Sequence, residues 1–283
     1  MKLFLFFLIT FFIVSSCNDF NATADTENSS DERKLPSNMT YSYECIKPDS
    51  GSLSGILGKA DDLIGKVATF NIEVSDDEQN RFGDTFLIES LKNKNFIVDS
   101  ISPQNAKLDT ILQDLLQKRV RPTGINYSMY LLTDTATINA YTVGGKIFIT
   151  TAMLNKCTND DQLYAIIGHE IGHNEKGHIK NSIKQLKASN KFFGSWGNAF
   201  IIIKRILTGS FNHKNELEAD YYGLDLTWKL GYDICAIRTF WDDMAKGETR
   251  NSILDFLRTH PYSDTRSRCL VNHIQKNFKI VCK

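Results

Sequence analysis

Large apolar residues recur at intervals of three and four in several stretches of the chain. Phe82, Phe86, Leu87 and Leu91 form one stripe, and Leu108, Ile111, Leu112, Leu115 and Leu116 a second. Leu163, Ile166 and Ile167 begin a third, and Leu217, Tyr221, Leu224 and Trp228 mark a fourth. That spacing lines one face of an α-helix, so four amphipathic helices on a common core are expected. Tyr127, Met129 and Leu131 instead alternate with Ser128 and Tyr130, and Ile147-Phe148-Ile149-Thr150 is a β-branched and aromatic run after Gly144-Gly145. Both read as strands. Asn159 followed by Gln162 has the form of a reciprocal capping box opening the third helix. The fold class is α+β, mostly helical, with a small antiparallel or mixed sheet beside that helix.

The N-terminus departs from this pattern. Met1-Lys2 precedes an apolar run from Leu3 to Val14, interrupted only by Thr10. The run falls short of the roughly twenty residues a membrane-spanning helix needs, and it reads as a secretion signal. Val14-Ser15-Ser16-Cys17 resembles a bacterial lipobox, in which the cysteine is lipidated and becomes the mature N-terminus. Residues 1–16 are therefore expected to be a signal peptide and Cys17 a lipid anchor. Residues 17–45, polar for most of their length, are expected to be a disordered tether reaching ~25 Å, and 46–283 one globular domain. This organisation places the protein in a bacterial cell envelope, anchored to a membrane and facing the periplasm.

At 283 residues and 42% hydrophobic, the chain has material for one sizeable core. Lys+Arg and Asp+Glu balance at 33 each, so no global field favours nucleic acid, and specificity must come from a local site. Apart from Cys17 the cysteines are Cys45, Cys157, Cys235, Cys269 and Cys282, with no C-x-x-C spacing. That speaks against a thiolate metal site and a dense disulfide framework, and leaves open both one or two bridges and inert thiols.

The third helix contains Gly168-His169-Glu170-Ile171-Gly172-His173. In this H-E-x-x-H pattern the two histidines lie one helical turn apart on one face, as two imidazoles sharing one zinc ion require. Glu170 sits beside the metal, where its carboxylate takes a proton from the attacking water and passes it to the leaving amine. A third ligand is needed. Ile179 and Lys176 occupy the positions where the extended-histidine class has His and Gly, which excludes that class. His178, five residues past His173, points off the ligand face and reads as a polar residue near the helix end.

The fourth stripe carries Glu216-Leu217-Glu218-Ala219-Asp220. Glu216 and Asp220 share a helix face, whereas Glu218 is ~200° round from Glu216 and cannot bind the same metal. Glu216 is assigned as third zinc ligand, with Asp220 orienting a ligand histidine through its free ring nitrogen. His213 and His273 read as ordinary surface or core-edge residues.

Four elements now stand in order: Asn139-Ala140 with Gly144-Gly145, His169-Glu170-x-x-His173, Glu216-x-Glu218-Ala219-Asp220-x-x-Gly223, and His260-Pro261 with Arg266. Together they resemble the zinc metalloendopeptidase family that includes the bacterial heat-shock protease HtpX and the CaaX prenyl proteases. Val143 stands where that family often has proline. The resemblance implies a zincin-like domain with one Zn2+ per chain and Glu216 as carboxylate ligand. It also implies His260 near the zinc, stabilising an oxyanion or regulating access, and Arg266 holding the C-terminal segment. The strand containing Gly145, Lys146 and Ile147 is implied to pair with an extended polypeptide substrate.

Phe192 to Leu207 is apolar and interrupted by Lys204-Arg205, and it suits a lid, a membrane-contacting hairpin or a buried helix equally. Three functions are compatible with the sequence. The favoured one is an envelope endopeptidase acting on unfolded or damaged proteins. The others are a zinc-binding, chaperone-like lipoprotein with low or gated activity, and a zinc hydrolase of non-peptide substrates. Intact Glu170 argues against the second and the ordered motifs against the third. Oligomeric state is not legible.

Overall fold

A computed structural model describes residues 33–45, 71–188, 212–246, 260 and 264–282. All of them belong to one unit, Asp31–Lys283. Ser75 opens helix α1 (Asp76–Lys92) by accepting a hydrogen bond from the Glu78 amide. Phe82 and Phe86 are buried as expected, but Leu91 is 46% exposed, because the buried face continues through Ser90 and leaves Leu91 beside it. Helix α2 (Gln104–Gln117) buries Leu108, Ile111, Leu112 and Leu115.

Three short strands follow: β1 (Ser128–Leu132), β2 (Ala140–Val143) and β3 (Lys146–Thr150). Gly144 and Gly145 both have positive φ (55° and 86°) and make the two-residue turn between β2 and β3. The sheet order is β1-β3-β2, with β1 parallel and β2 antiparallel to β3, so the sheet is mixed. This corrects the substrate expectation. The strand after Gly145 is the central one, with neighbours on both sides, and its backbone offers no free edge. Lys146 and Ile147 are buried and Lys146 pairs with Asp84 at 2.8 Å. Among the three strands the edge positions belong to β1 and β2.

After α3 (Thr151–Lys156) comes α4 (Asp160–Glu175), which carries the H-E-x-x-H pattern and is buried almost throughout. Asn159 caps it, accepting from the Gln162 amide at 3.0 Å. The expected return bond to Asn159 is not made; the Gln162 side chain accepts from the Thr158 amide instead, one residue earlier. At its far end Glu175 accepts from Arg119, Tyr127 and the Thr123 amide, fixing the helix to the loop before β1. Helix α5 (His178–Ala188) then turns away after Gly177, whose φ is 75°.

Helix α6 (His213–Lys229) packs along α4 so closely that Gly168 faces Gly223 and Gly172 faces Ala219. A Cβ on Gly223 would lie 2.6 Å from the His169 amide nitrogen and 2.7 Å from the Gly168 carbonyl carbon. Small residues there let the two chemistry-bearing helices meet backbone to backbone. Helix α7 (Ala236–Lys246), α8 (Asp264–His273) and a π-helical turn (Ile274–Phe278) complete the described elements. None of the described helices is long and apolar enough to cross a membrane.

Residues 33–45, expected to be part of the tether, lie on the domain. The Arg33 amide donates to the Lys229 carbonyl at 3.2 Å and Trp228 Nε1 to the Lys34 carbonyl at 3.1 Å. Asn277 makes a pair of bonds to the Thr40 backbone, and Tyr41 donates to Asp225. Cys45 is joined to Cys269 and Cys235 to Cys282, which leaves Cys157 as the free thiol among the described cysteines. Cys17, the rest of the tether and the Phe192–Leu207 stretch lie outside the described residues.

Candidate metal centre

Helix geometry brings His169 and His173 together as the spacing predicts, their Nε2 atoms 3.0 Å apart. Helix α6 crosses beneath them and supplies Glu216, whose Oε2 is 3.6 Å from His169 Nε2 and whose Oε1 is 3.4 Å from His173 Nε2. Donors bound to one tetrahedral zinc at ~2.0–2.1 Å are separated by about 3.3 Å, so these spacings fit a shared ion. His260 joins from the C-terminal part of the chain, with Nδ1 3.1 Å from His169 Nε2 and 3.3 Å from Glu216 Oε2. His169, His173, Glu216 and His260 thus form a buried donor cluster within 4.8 Å.

The unsatisfied atoms point the same way. Glu216 Oε1 and both carboxylate oxygens of Glu170 are buried and make no hydrogen bond among the described residues. Leaving a buried carboxylate so is costly unless a cation or a reacting group takes its place. Three imidazoles, a carboxylate and nothing softer is a donor set suited to zinc.

Around the donors the structure arranges the expected supports. His169 Nδ1 lies 2.8 Å from Asp220 Oδ1. Arg266 on α8 donates to both Asp220 oxygens and, through Nη1, to Glu216 Oε2 at 2.7 Å. It also lies over the Trp241 ring, with Cζ 4.9 Å from its centre. Asn174, one residue past His173, uses both ends of its amide: Oδ1 accepts from Gln79 and the Gly145 amide, while Nδ2 donates to Thr142 and the Glu170 carbonyl. The glycine turn and edge strand β2 are thereby pinned to the H-E-x-x-H helix. Gly145 touches this support, not the donors.

Burial and charge set the protonation. Burial lifts the Glu170 carboxyl above its ordinary value, and the neighbouring His260 and His169 offset it only in part. Burial, then His169 and His260, holds His173 well below the usual imidazole range, so it is neutral and has a lone pair to donate. For Glu216 and Asp220 burial is the largest influence and disfavours the charge, but Arg266 together with the neighbouring histidines outweighs it, and both carboxyls fall below their ordinary values. His260 is pulled down by burial and raised more by Glu216 and Glu170; its Nε2 is 3.4 Å from Glu170 Oε1.

All of the expected centre is therefore assembled in one place: His169, Glu170, His173, Glu216, Asp220, His260 and Arg266. Glu218 faces away from the donors, as its helix angle requires. His178 lies outside the donor cluster, as expected, but it is not an ordinary polar residue at a helix end. It is buried, and its Nδ1 is 3.0 Å from His173 Nδ1 while its Nε2 is 3.0 Å from Glu218 Oε2. A continuous helix would have aimed it elsewhere; the break at Gly177 is the one signal in the sequence that it need not.

A family model described as peptidase family M48 matches residues 102–274, more than half of the chain. Metalloprotease LoiP of Escherichia coli K12 is 26% identical over 187 residues, covering 60% of this chain and 71% of LoiP. The mitochondrial metalloendopeptidase OMA1 of Arabidopsis thaliana is 30% identical over 158 residues, 52% of this chain and 31% of OMA1. The beta-barrel assembly-enhancing protease of Escherichia coli K12 is 27% identical over 159 residues, 48% of this chain and 32% of that protein. The chain thus spans about a third of the length of the last two.

Proposed function

The chain belongs to peptidase family M48, and from that premise we propose that it is a zinc-dependent endopeptidase of the cell envelope that cleaves unfolded or damaged polypeptides. The observation that carries the reading is the buried Glu170 carboxylate beside three metal donors, with both its oxygens free of hydrogen bonds among the described residues.

His169, His173 and Glu216 would hold the ion. Zinc bound there supplies Lewis acidity toward the scissile carbonyl and acidifies water. Glu170, its carboxyl raised by burial, takes the proton of the attacking water and returns it to the departing amine. His260, whose imidazole is raised by Glu216 and Glu170, faces the same space and stabilises negative charge on the tetrahedral oxygen. An extended substrate would lie along β2, the edge strand nearest α4, rather than along β3, since edge pairing needs unpaired backbone. An apolar hollow between Ile166, Leu224, Ile237 and Trp241, next to Glu170, suits an apolar substrate side chain. The envelope location rests on the signal-like run and the Val14-Ser15-Ser16-Cys17 pattern, and the HtpX-like type on the four ordered motifs.

A second reading has one observation in its favour. His260 Nδ1 lies within the donor cluster, and a fourth protein donor would close the centre and gate activity.

Zinc content and casein cleavage of the wild type, Glu170→Gln and His260→Ala separate these readings. Glu170→Gln is expected to keep zinc and lose ~10²–10⁴-fold in rate. Equal cleavage by wild type and Glu170→Gln overturns the catalytic assignment. Reduced cleavage by His260→Ala supports its catalytic role, and increased cleavage supports the gate.

A further inference from the structure

His173 has two ring nitrogens, and only the one on the donor side is accounted for by the metal reading above, on which this inference rests. The other, Nδ1, is 3.0 Å from Nδ1 of His178. Two imidazole nitrogens at that distance form a hydrogen bond only if one carries the proton and the other a lone pair. The next contact and the metal reading of His173 Nε2 together decide which. His178 Nε2 is 3.0 Å from Glu218 Oε2, and an ionised carboxylate only accepts. A metal held by His173 Nε2 uses that atom's lone pair, so the His173 proton sits on Nδ1 and is donated to His178; His178 then presents a lone pair at Nδ1 and carries its proton on Nε2, toward Glu218.

We infer that His178 and Glu218 are positioning residues that fix the tautomer and aim of His173 toward the metal. The arrangement parallels the other histidine. His169 Nδ1 reaches a carboxylate of α6 directly, at Asp220, whereas His173 reaches one through an intervening imidazole. Alternate residues of one helical stretch, Glu216, Glu218 and Asp220, thus serve the centre in three ways: as donor, as the end of the His173 chain, and as partner of His169. The backbone provides for the intervening ring. Gly177 closes α4 with positive φ, and α5 restarts with His178 at its first position, turned back against His173.

Chelator competition on the full-length chain measures the zinc dissociation constant of the wild type, His178→Phe, His178→Gln, Glu218→Ala and His173→Ala. Loss of a group that orients a ligand histidine is expected to weaken zinc ~10–100-fold in His178→Phe and Glu218→Ala. His178→Gln, whose amide both accepts and donates, should recover much of the loss. Unchanged zinc affinity in His178→Phe and Glu218→Ala, with His173→Ala losing zinc, overturns the inference and leaves the metal centre standing. Wild-type affinity in His173→Ala overturns the ligand assignment and the inference with it. Ring 15N shifts of the zinc-loaded wild type need no variant: His178 should show a protonated Nε2 and a lone-pair Nδ1, and the opposite tautomer refutes the chain.

Discussion

Arg266 grips Asp220 with Nε and Nη2 and reaches Glu216 Oε2 with Nη1 at 2.7 Å, although it stands 46 residues from Asp220 and is itself buried. One guanidinium is therefore shared by two buried carboxylates on α6. Arg266→Ala is expected to cost ~3–5 kcal/mol, because it leaves both charges buried without their partner. Denaturant unfolding of the metal-free protein checks this, and a loss below 1 kcal/mol would show that the pair adds little. Arg266→Lys should fall between, since an ammonium cannot reproduce the planar fork.

The acid behaviour of Asp220 has a definite sign. Burial opposes its charge, but Arg266 and His169 hold its folded pKa far below the ordinary carboxylate value. A depressed carboxyl stabilises fully above its unfolded pKa of ~3.9, and that contribution disappears as pH falls through the folded value. In metal-free protein the stability gap between wild type and Asp220→Asn should be larger at pH 5 than at pH 2.5. A gap that stays constant or widens on acidification contradicts the ion pair.

Gly223→Ala tests the contact between α4 and α6. The added methyl would press on the His169 amide and the Gly168 carbonyl carbon, both backbone atoms that cannot step aside. A loss of ~1–3 kcal/mol is expected, together with weaker zinc binding, because His169 and Glu216 are spaced by this contact. Gly177→Ala makes an instructive comparison: nothing lies near its Cβ, so its cost should come only from the positive φ, near 1 kcal/mol.

The two disulfides should differ little in worth despite very different separations, 224 and 47 residues. Loop-closure entropy grows only with the logarithm of length, so paired Cys→Ser replacement of either bridge is expected to cost ~4–5 kcal/mol, the longer loop about 1 kcal/mol more. Thermal unfolding of the two double variants is the check; a several-fold difference would mean native contacts, rather than chain entropy, dominate one of them.

Much of the centre was legible because its information is local. Four-residue spacing put His169 beside His173 and Asp220 beside Glu216, and helix angle separated Glu218 from Glu216 without reference to any other part of the chain. What escaped the sequence depends on non-local geometry. Strand order is one case: nothing in Lys146-Ile147-Phe148-Ile149-Thr150 reveals that β1 will return beside it in parallel and make it the central strand. The pairing of Cys45 with Cys269 is another, as is the docking of residues 33–45, where polar composition hid an Asn277 clamp on Thr40 and a Tyr41 bond to Asp225. His178 failed for a third reason. Its direction follows from an unbroken helix only on paper; in the fold a single residue in the left-handed region, Gly177, redirects it.

The two bridges overlap along the chain: Cys235 lies inside the segment closed by Cys45 and Cys269, and Cys282 outside it. Because the closed segments interlock, a single backbone nick anywhere between Cys45 and Cys282 leaves the two pieces covalently joined. Such a chain survives a stray cut without shedding a fragment, and the helix bearing Arg266 stays attached to the body that needs it.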